Sequence, residues 1–128
     1  MKEINVTVIG SGSTYCPELI YGFIEAKDSL KLKRVAFMDI DERKRTIVGG
    51  LCVRMLKSAG IDCEVVMTDD LDLALQGADF VVNLDFSVLN YNLCVTAGLN
   101  CVAELEKCIK TDKISLNALL NNGLFFYF

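Results

Sequence analysis

The chain has 128 residues, 52% of them hydrophobic, and a formal net charge of −4; this is one domain's length and too apolar for disorder. It carries no Lys/Arg-rich run, so a nucleic-acid-binding face is not expected, and no stretch nears the roughly 18–20 uninterrupted apolar residues of a membrane span. Histidine is absent, which removes Ser-His-Asp triads, His–Cys dyads and every His-containing metal site. In chain order, the β-branched run over residues 4–9, closed by Gly10, predicts a buried strand. Pro17 sits where a helix can begin, since its missing N–H costs nothing there. Leu19, Ile20, Phe23 and Ile24 follow at helical spacing on one face.

A second strand is predicted over residues 34–39, ending on the carboxylate of Asp39. From residue 41 to 59 the pattern is helical, with Ile47, Leu51, Met55 and Leu56 as its apolar positions and Gly60 as its stop. Residues 63–68 form a third predicted strand. Asp69 or Asp70 then caps a short helix through Ala74 and Leu75, stopped by Gly77, before a fourth strand over residues 80–84. Apolar strands alternating with helices predict an α/β fold: a doubly wound parallel sheet with helices on both faces.

The chemistry concentrates at the first strand–helix turn, Gly10-Ser11-Gly12-Ser13-Thr14-Tyr15-Cys16-Pro17. Gly10 permits a tight exit from the strand, and Gly12 lets the backbone approach a phosphate with no Cβ in the way. The amides opening the following helix face a pyrophosphate with the positive end of the helix dipole behind them, and Ser11, Ser13 and Thr14 add hydroxyl donors. A lone G-x-G is weak, but here it follows a strand, precedes a helix, and is answered by an acid ending the next strand. Asp39 is placed to accept the ribose hydroxyls of an adenosine and to repel a 2′-phosphate, favouring NAD over NADP. Asp41 is read as a helix cap, and Arg43, Lys44 and Arg45 as the solvated first turn of that helix.

The turn through Tyr15 and Pro17, with Met38-Asp39-Ile40-Asp41, Val48-Gly49-Gly50-Leu51, Thr68-Asp69 and Gly77-Ala78-Asp79-Phe80-Val81-Val82-Asn83, resembles glycoside hydrolase family 4. The resemblance covers residues 3–85 and implies a Rossmann-type fold and an NAD- and manganese-dependent 6-phospho-α- or 6-phospho-β-glucosidase or α-galactosidase. Such enzymes are an exception to two-carboxylate glycoside hydrolysis. The resemblance implies that NAD⁺ takes hydride from C3 of the sugar, a metal polarises the ketone, a tyrosine removes the C2 proton, and the glycosidic oxygen is eliminated. It also implies metal ligation by a cysteine and a histidine beyond the dinucleotide half. Phe86 stands where the family's phosphate-binding arginine is expected, and no histidine is present for the metal.

Beyond residue 85 the composition changes. Of the first 85 residues 24 are charged, against 6 of the last 43, and seven of the eight asparagines lie from Asn83 onward. Residues 1–128 are therefore read as one truncated dinucleotide-binding domain, family-like over 1–85 and divergent, mainly helical, over 86–128. Cys94, Cys101 and Cys108 fall on one stripe of an expected helix over 92–110. Seven residues apart, their rise separates them by about 10 Å, too far to share one metal; a core or helix–helix role is expected. A further short helix is expected over 113–121. No C-x-x-C pair occurs, and residues 1–5 lack a secretory signal, so reduced thiols in a cytoplasmic protein are expected. A free sheet edge and the aromatic residues 124–128 point to a homo-oligomer. The expected function is the NAD-binding portion of a family 4 glycosidase, inactive as this chain, with phosphorylated sugar as a partner of the complete enzyme. The alternatives are a non-catalytic oligomerising α/β module and a small NAD(H)-sensing domain.

Overall fold

Seven elements alternate between strand and helix in the computed structural model, which describes residues 3–84. They are β1 (Glu3–Ile9), α1 (Cys16–Glu25), β2 (Lys31–Met38), α2 (Glu42–Ser58), β3 (Glu64–Thr68), α3 (Leu71–Leu75) and β4 (Phe80–Asn83). The strands form one parallel sheet in the order β3-β2-β1-β4. The chain thus builds outward from β1 through β2 to β3, then returns to lay β4 on the other side of β1. That reversal is a topological switch point, where open α/β sheets form their ligand crevice at the carboxyl ends of the strands.

Strand alternation sorts the core into two layers. Ile4, Val6 and Val8 of β1, Val35 and Phe37 of β2 and Val82 of β4 pack with Leu19, Ile20 and Phe23 of α1 and Cys52 and Leu56 of α2. Each large side chain buried this way contributes about 1.5–3 kcal/mol. On the opposite face Ala36 and Met38 meet Ala74 of α3, with Ile9 and Val66 beside them. Helices on both faces of a parallel sheet are as expected.

A strand boundary and a helix face differ from expectation. β2 begins at Lys31 rather than residue 34, because Lys31 and Lys33 alternate outward, reaching Glu3 across β1 at 2.6 and 3.8 Å. Their charge hid a strand whose inward partner, Leu32, is buried. On α2 the buried positions are Gly49, Cys52 and Leu56, whereas Ile47 and Leu51 are 60% and 42% exposed. Leu56 is buried as expected, and Gly49 and Cys52 complete the stripe in place of Ile47 and Leu51. A β-carbon at Gly49 would stand 2.7 Å from Met67 Cε, so the helix approaches β3 where it has no side chain. Of the two candidate caps for α3, Asp70 holds the position and accepts from the amides of Asp72 and Leu73 at 2.9 and 3.3 Å.

Arg34, on β2, closes the other end of α3. Its Nη2 donates to Leu73 O at 3.2 Å and its Nη1 to Ala74 O at 3.4 Å, and the Thr7 hydroxyl also donates to Ala74 O. A buried cation therefore sits at the negative end of a five-residue helix. Arg34→Ala is expected to cost about 2 kcal/mol, combining lost packing with weakened carbonyl partners, read as a lower urea midpoint at unchanged slope.

The expected helices over 92–110 and 113–121, the thiol stripe, Phe86 and the aromatic residues 124–128 lie outside the described residues. Among the described residues no helix is long and apolar enough to cross a membrane.

Candidate functional site

At the carboxyl ends of β1 and β2 the chain leaves a cleft of about 490 Å³, lined by Ile9, Gly10, Gly12, Ser13, Tyr15, Met38, Asp39, Ile40, Asp41, Lys44 and Leu84. This lies within the roughly 300–1,000 Å³ of small-molecule sites. Gly10 leaves β1 at φ 78°, a left-handed conformation that favours glycine. The amides of Gly10 and Ser11 both donate to Met38 O, at 2.9 and 3.0 Å, so the turn is bolted to the end of β2. Leu84 N donates to Ile9 O at 2.8 Å, fixing the β4 side of the cleft.

Asp39 organises the centre. Its Oδ2 accepts from Gly12 N at 2.8 Å and its Oδ1 from Asp41 N at 2.9 Å. Its backbone carbonyl accepts from Arg45 Nη1 at 2.6 Å, and its amide donates to Thr68 O at 3.2 Å. Each carboxylate oxygen still has a second lone pair, so Asp39 supports the turn and retains acceptor capacity toward the cleft it lines.

Gly12 also packs closely within the protein. A β-carbon there would stand 2.6 Å from Lys44 Cβ and 2.7 Å from Asp39 Oδ2. The turn presses on Asp39 and on the first turn of α2, and close packing within the protein already excludes a side chain.

The sequence-predicted residues divide accordingly. Gly10, Gly12, Ser13 and Asp39 come together on the cleft. Thr14 is exposed and does not line it. Ser13 Oγ accepts from Tyr15 N at 3.2 Å, and the Cys16 amide donates to Ser13 O at 3.0 Å. Two amides at the start of α1 are therefore satisfied within the turn. Ser11, read as a hydroxyl donor to a ligand, is wholly buried, with its Oγ unpartnered among the described residues and away from the cleft lining. Asp41 caps α2 as expected, accepting from Lys44 N at 3.0 Å.

The basic cluster is not uniformly a solvated face. Arg43 is exposed, but Arg45 holds the Asp39 carbonyl and Lys44 lines the cleft. Partners from outside the helix, the Asp39 carbonyl for Arg45 and Gly12 for Lys44, distinguish these two from Arg43.

Behind the turn, Cys52 Sγ lies 3.7 Å from Cys16 Sγ, both wholly buried. Hydrogen bonding to Cys52 and burial push the Cys16 thiol well above the usual thiol range, so it stays protonated and unreactive. Cys16, Cys52 and Cys63 are free thiols. Among the described residues no group of three or more His, Cys, Asp or Glu side chains could hold a metal ion.

A family model described as family 4 glycosyl hydrolase matches residues 5–101, running past residue 85, where recognisable motifs end. A Bacillus subtilis protein named "Probable 6-phospho-beta-glucosidase" is 42% identical over 82 residues, 62% of this chain and 19% of its own length. The 6-phospho-beta glucosidase of Thermotoga maritima, solved with manganese, NAD⁺ and glucose-6-phosphate, superposes with a TM-score of 0.55 at 33% identity, over 61% of this chain and 19% of that one. A 6-phospho-alpha-glucosidase from gut microorganisms, in complex with NAD and Mn²⁺, shares the fold at TM-score 0.60 and 20% identity, over 91% of this chain and 32% of that one. The chain thus spans about a fifth of the length of the curated relatives it matches.

Proposed function

The chain belongs to glycosyl hydrolase family 4, and from that premise we propose that it binds NAD in the cleft through Gly10, Gly12, Ser13 and Asp39. The observation that carries this reading is Asp39: one carboxylate at the end of β2 both holds the Gly12 amide at 2.8 Å and lines the switch-point cleft. The dinucleotide, when bound, supplies a hydride acceptor. The chain's own contribution is to present the glycine turn to the diphosphate and the remaining Asp39 lone pairs to the ribose hydroxyls. Residues 1–128 act as one dinucleotide-binding domain in this reading, with the family character strongest over 1–85.

For a protein that contains this part, the proposed overall activity is hydrolysis of the O-glycosyl bond of phosphorylated disaccharides. The named activity of the 6-phospho-beta-glucosidase relatives supports it. The residues in hand do not fit manganese: histidine is missing from all 128 residues and the described ones offer no ligand cluster. We therefore propose that these 128 residues alone do not turn substrate over. Free thiols support a reducing, cytoplasmic setting. Among the described residues β3 is paired on one side only, which supports self-association.

The test is a titration of NADH against the purified chain, followed by NADH fluorescence, alongside an assay on nitrophenyl 6-phosphoglucosides with NAD⁺ and Mn²⁺. Saturable binding at micromolar to millimolar NADH without hydrolysis is expected. No binding at millimolar NADH contradicts the cofactor reading and favours a non-binding oligomerising module. Metal-dependent turnover contradicts the proposed inactivity.

A further inference from the structure

The charges around the cleft do not, at first sight, suit a diphosphate. Two of the cleft-lining side chains, Asp39 and Asp41, are carboxylates, and Lys44 is the one cation among the described lining residues. The Asp41 carboxylate is occupied in capping, taking the Lys44 amide, and both Asp39 oxygens take backbone N–H groups. The Lys44 ammonium enters no ion pair or hydrogen bond among the described residues, unlike Lys31 and Lys33, which face Glu3. The β-carbon of Lys44 lies against Gly12, 2.6 Å from where a Gly12 side chain would begin. The flexible four-carbon stem of a lysine that starts there has the mouth of the glycine turn within its reach.

We propose that Lys44 is the phosphate-pairing residue of the cleft: its ammonium meets the diphosphate of an adenosine diphosphate moiety and offsets the two carboxylates that would otherwise repel it. This rests on the NAD reading above and adds to it a residue that helical patterning assigns to solvent. The ligand class that follows is any adenine nucleotide with a 5′-diphosphate, ADP itself included, because the pairing needs neither the nicotinamide nor its ribose. Lys44 is exposed, so its worth lies between that of a surface ion pair and that of a buried charge-assisted hydrogen bond, roughly fivefold in affinity.

The experiment displaces NADH with ADP and with adenosine from the wild-type chain, Lys44→Gln and Lys44→Arg. Gln keeps most of the stem beside Gly12 and removes the charge. Expected is about a fivefold weaker ADP in Lys44→Gln, near-wild-type ADP in Lys44→Arg, and adenosine unchanged in all three. The ADP difference is also expected to shrink between 50 and 500 mM salt, by screening. Equal ADP affinity in Lys44→Gln and wild type overturns the assignment while leaving the NAD reading intact. A parallel fall for ADP and adenosine also overturns it, since Lys44 would then act only by propping the turn. Failure of the wild-type chain to bind either NADH or ADP overturns the NAD reading, and this proposal with it.

Discussion

Gly12→Val is expected to abolish detectable dinucleotide binding, a loss of at least about 100-fold, or about 2.7 kcal/mol. The first added carbon would begin 2.6 Å from Lys44 Cβ and 2.7 Å from Asp39 Oδ2, well inside van der Waals contact with a helix stem and a hydrogen-bonded carboxylate. Neither is the loose end of a side chain, so the turn must move. That movement withdraws the Gly12 amide from Asp39, where it now donates at 2.8 Å. Overpacking of this kind costs about 1–3 kcal/mol in stability, and a β-branched residue is stiff enough to transmit all of it. The parallel strands do not depend on the turn for their pairing, so the far-ultraviolet circular dichroism of Gly12→Val should match that of the wild type at 20 °C. Gly50→Ala is the matched control. Its β-carbon meets only Arg54 Nη1, at 3.5 Å, in the middle of α2. It should bind NADH normally and gain up to about 1 kcal/mol of helix stability. Equal binding in Gly12→Val and Gly50→Ala would show that the turn does not contact the ligand.

Asp39→Ala is expected to lose both stability and affinity, because one carboxylate serves both. Removing it leaves the Gly12 and Asp41 amides without their acceptor. Each part-buried N–H deprived of its partner costs about 1–3 kcal/mol where water cannot replace it; the Asp41 amide is exposed and sits at the low end. A total near 2–4 kcal/mol follows, seen as a lower urea midpoint. Binding of NADH should weaken by about 100-fold, through the lost ribose acceptor and the loosened turn together. Asp39→Asn separates the two contributions. Its amide carries one acceptor oxygen, so either Gly12 N or Asp41 N keeps a partner and the stability loss should fall by about half. Calorimetric titration on the folded fraction reads the affinity, and chemical unfolding reads the stability. An Asp39→Ala chain of wild-type stability that binds NADH normally would remove Asp39 from both roles.

Particular residues show how far the chain could be read in advance. Gly10, followed by a strand-to-helix change and answered by Asp39, marks a switch-point turn because each residue type meets a local backbone demand. The left-handed φ of Gly10 and the Asp70 cap are of the same local kind. On α2, side-chain hydrophobicity favours Ile47 and Leu51, while close helix–sheet approach selects Gly49 and Cys52. At the start of β2, strand pairing with β1 overrides the outward charges of Lys31 and Lys33. Lys44, Arg45 and Arg34 share one further reason. Their partners, Gly12, the Asp39 carbonyl and the carbonyl end of α3, come from other elements. Such pairings depend on tertiary packing, which no periodicity within one element records. Ser11 shows the converse: its type suggested a ligand donor, but the two-amide clamp on Met38 O turns that part of the chain inward.

In the proposed function the cleft between the glycine turn and Asp39 holds the dinucleotide. The most direct measurement is the amide ¹H–¹⁵N spectrum of the chain during an NAD⁺ titration. Saturable shifts are expected, centred on Gly10, Gly12, Ser13, Asp39 and Lys44, with little change at Lys31, Glu64 or Lys57 on the far end of the strands and helices. A spectrum unmoved at millimolar NAD⁺, or shifts centred on another face of the sheet, would contradict it.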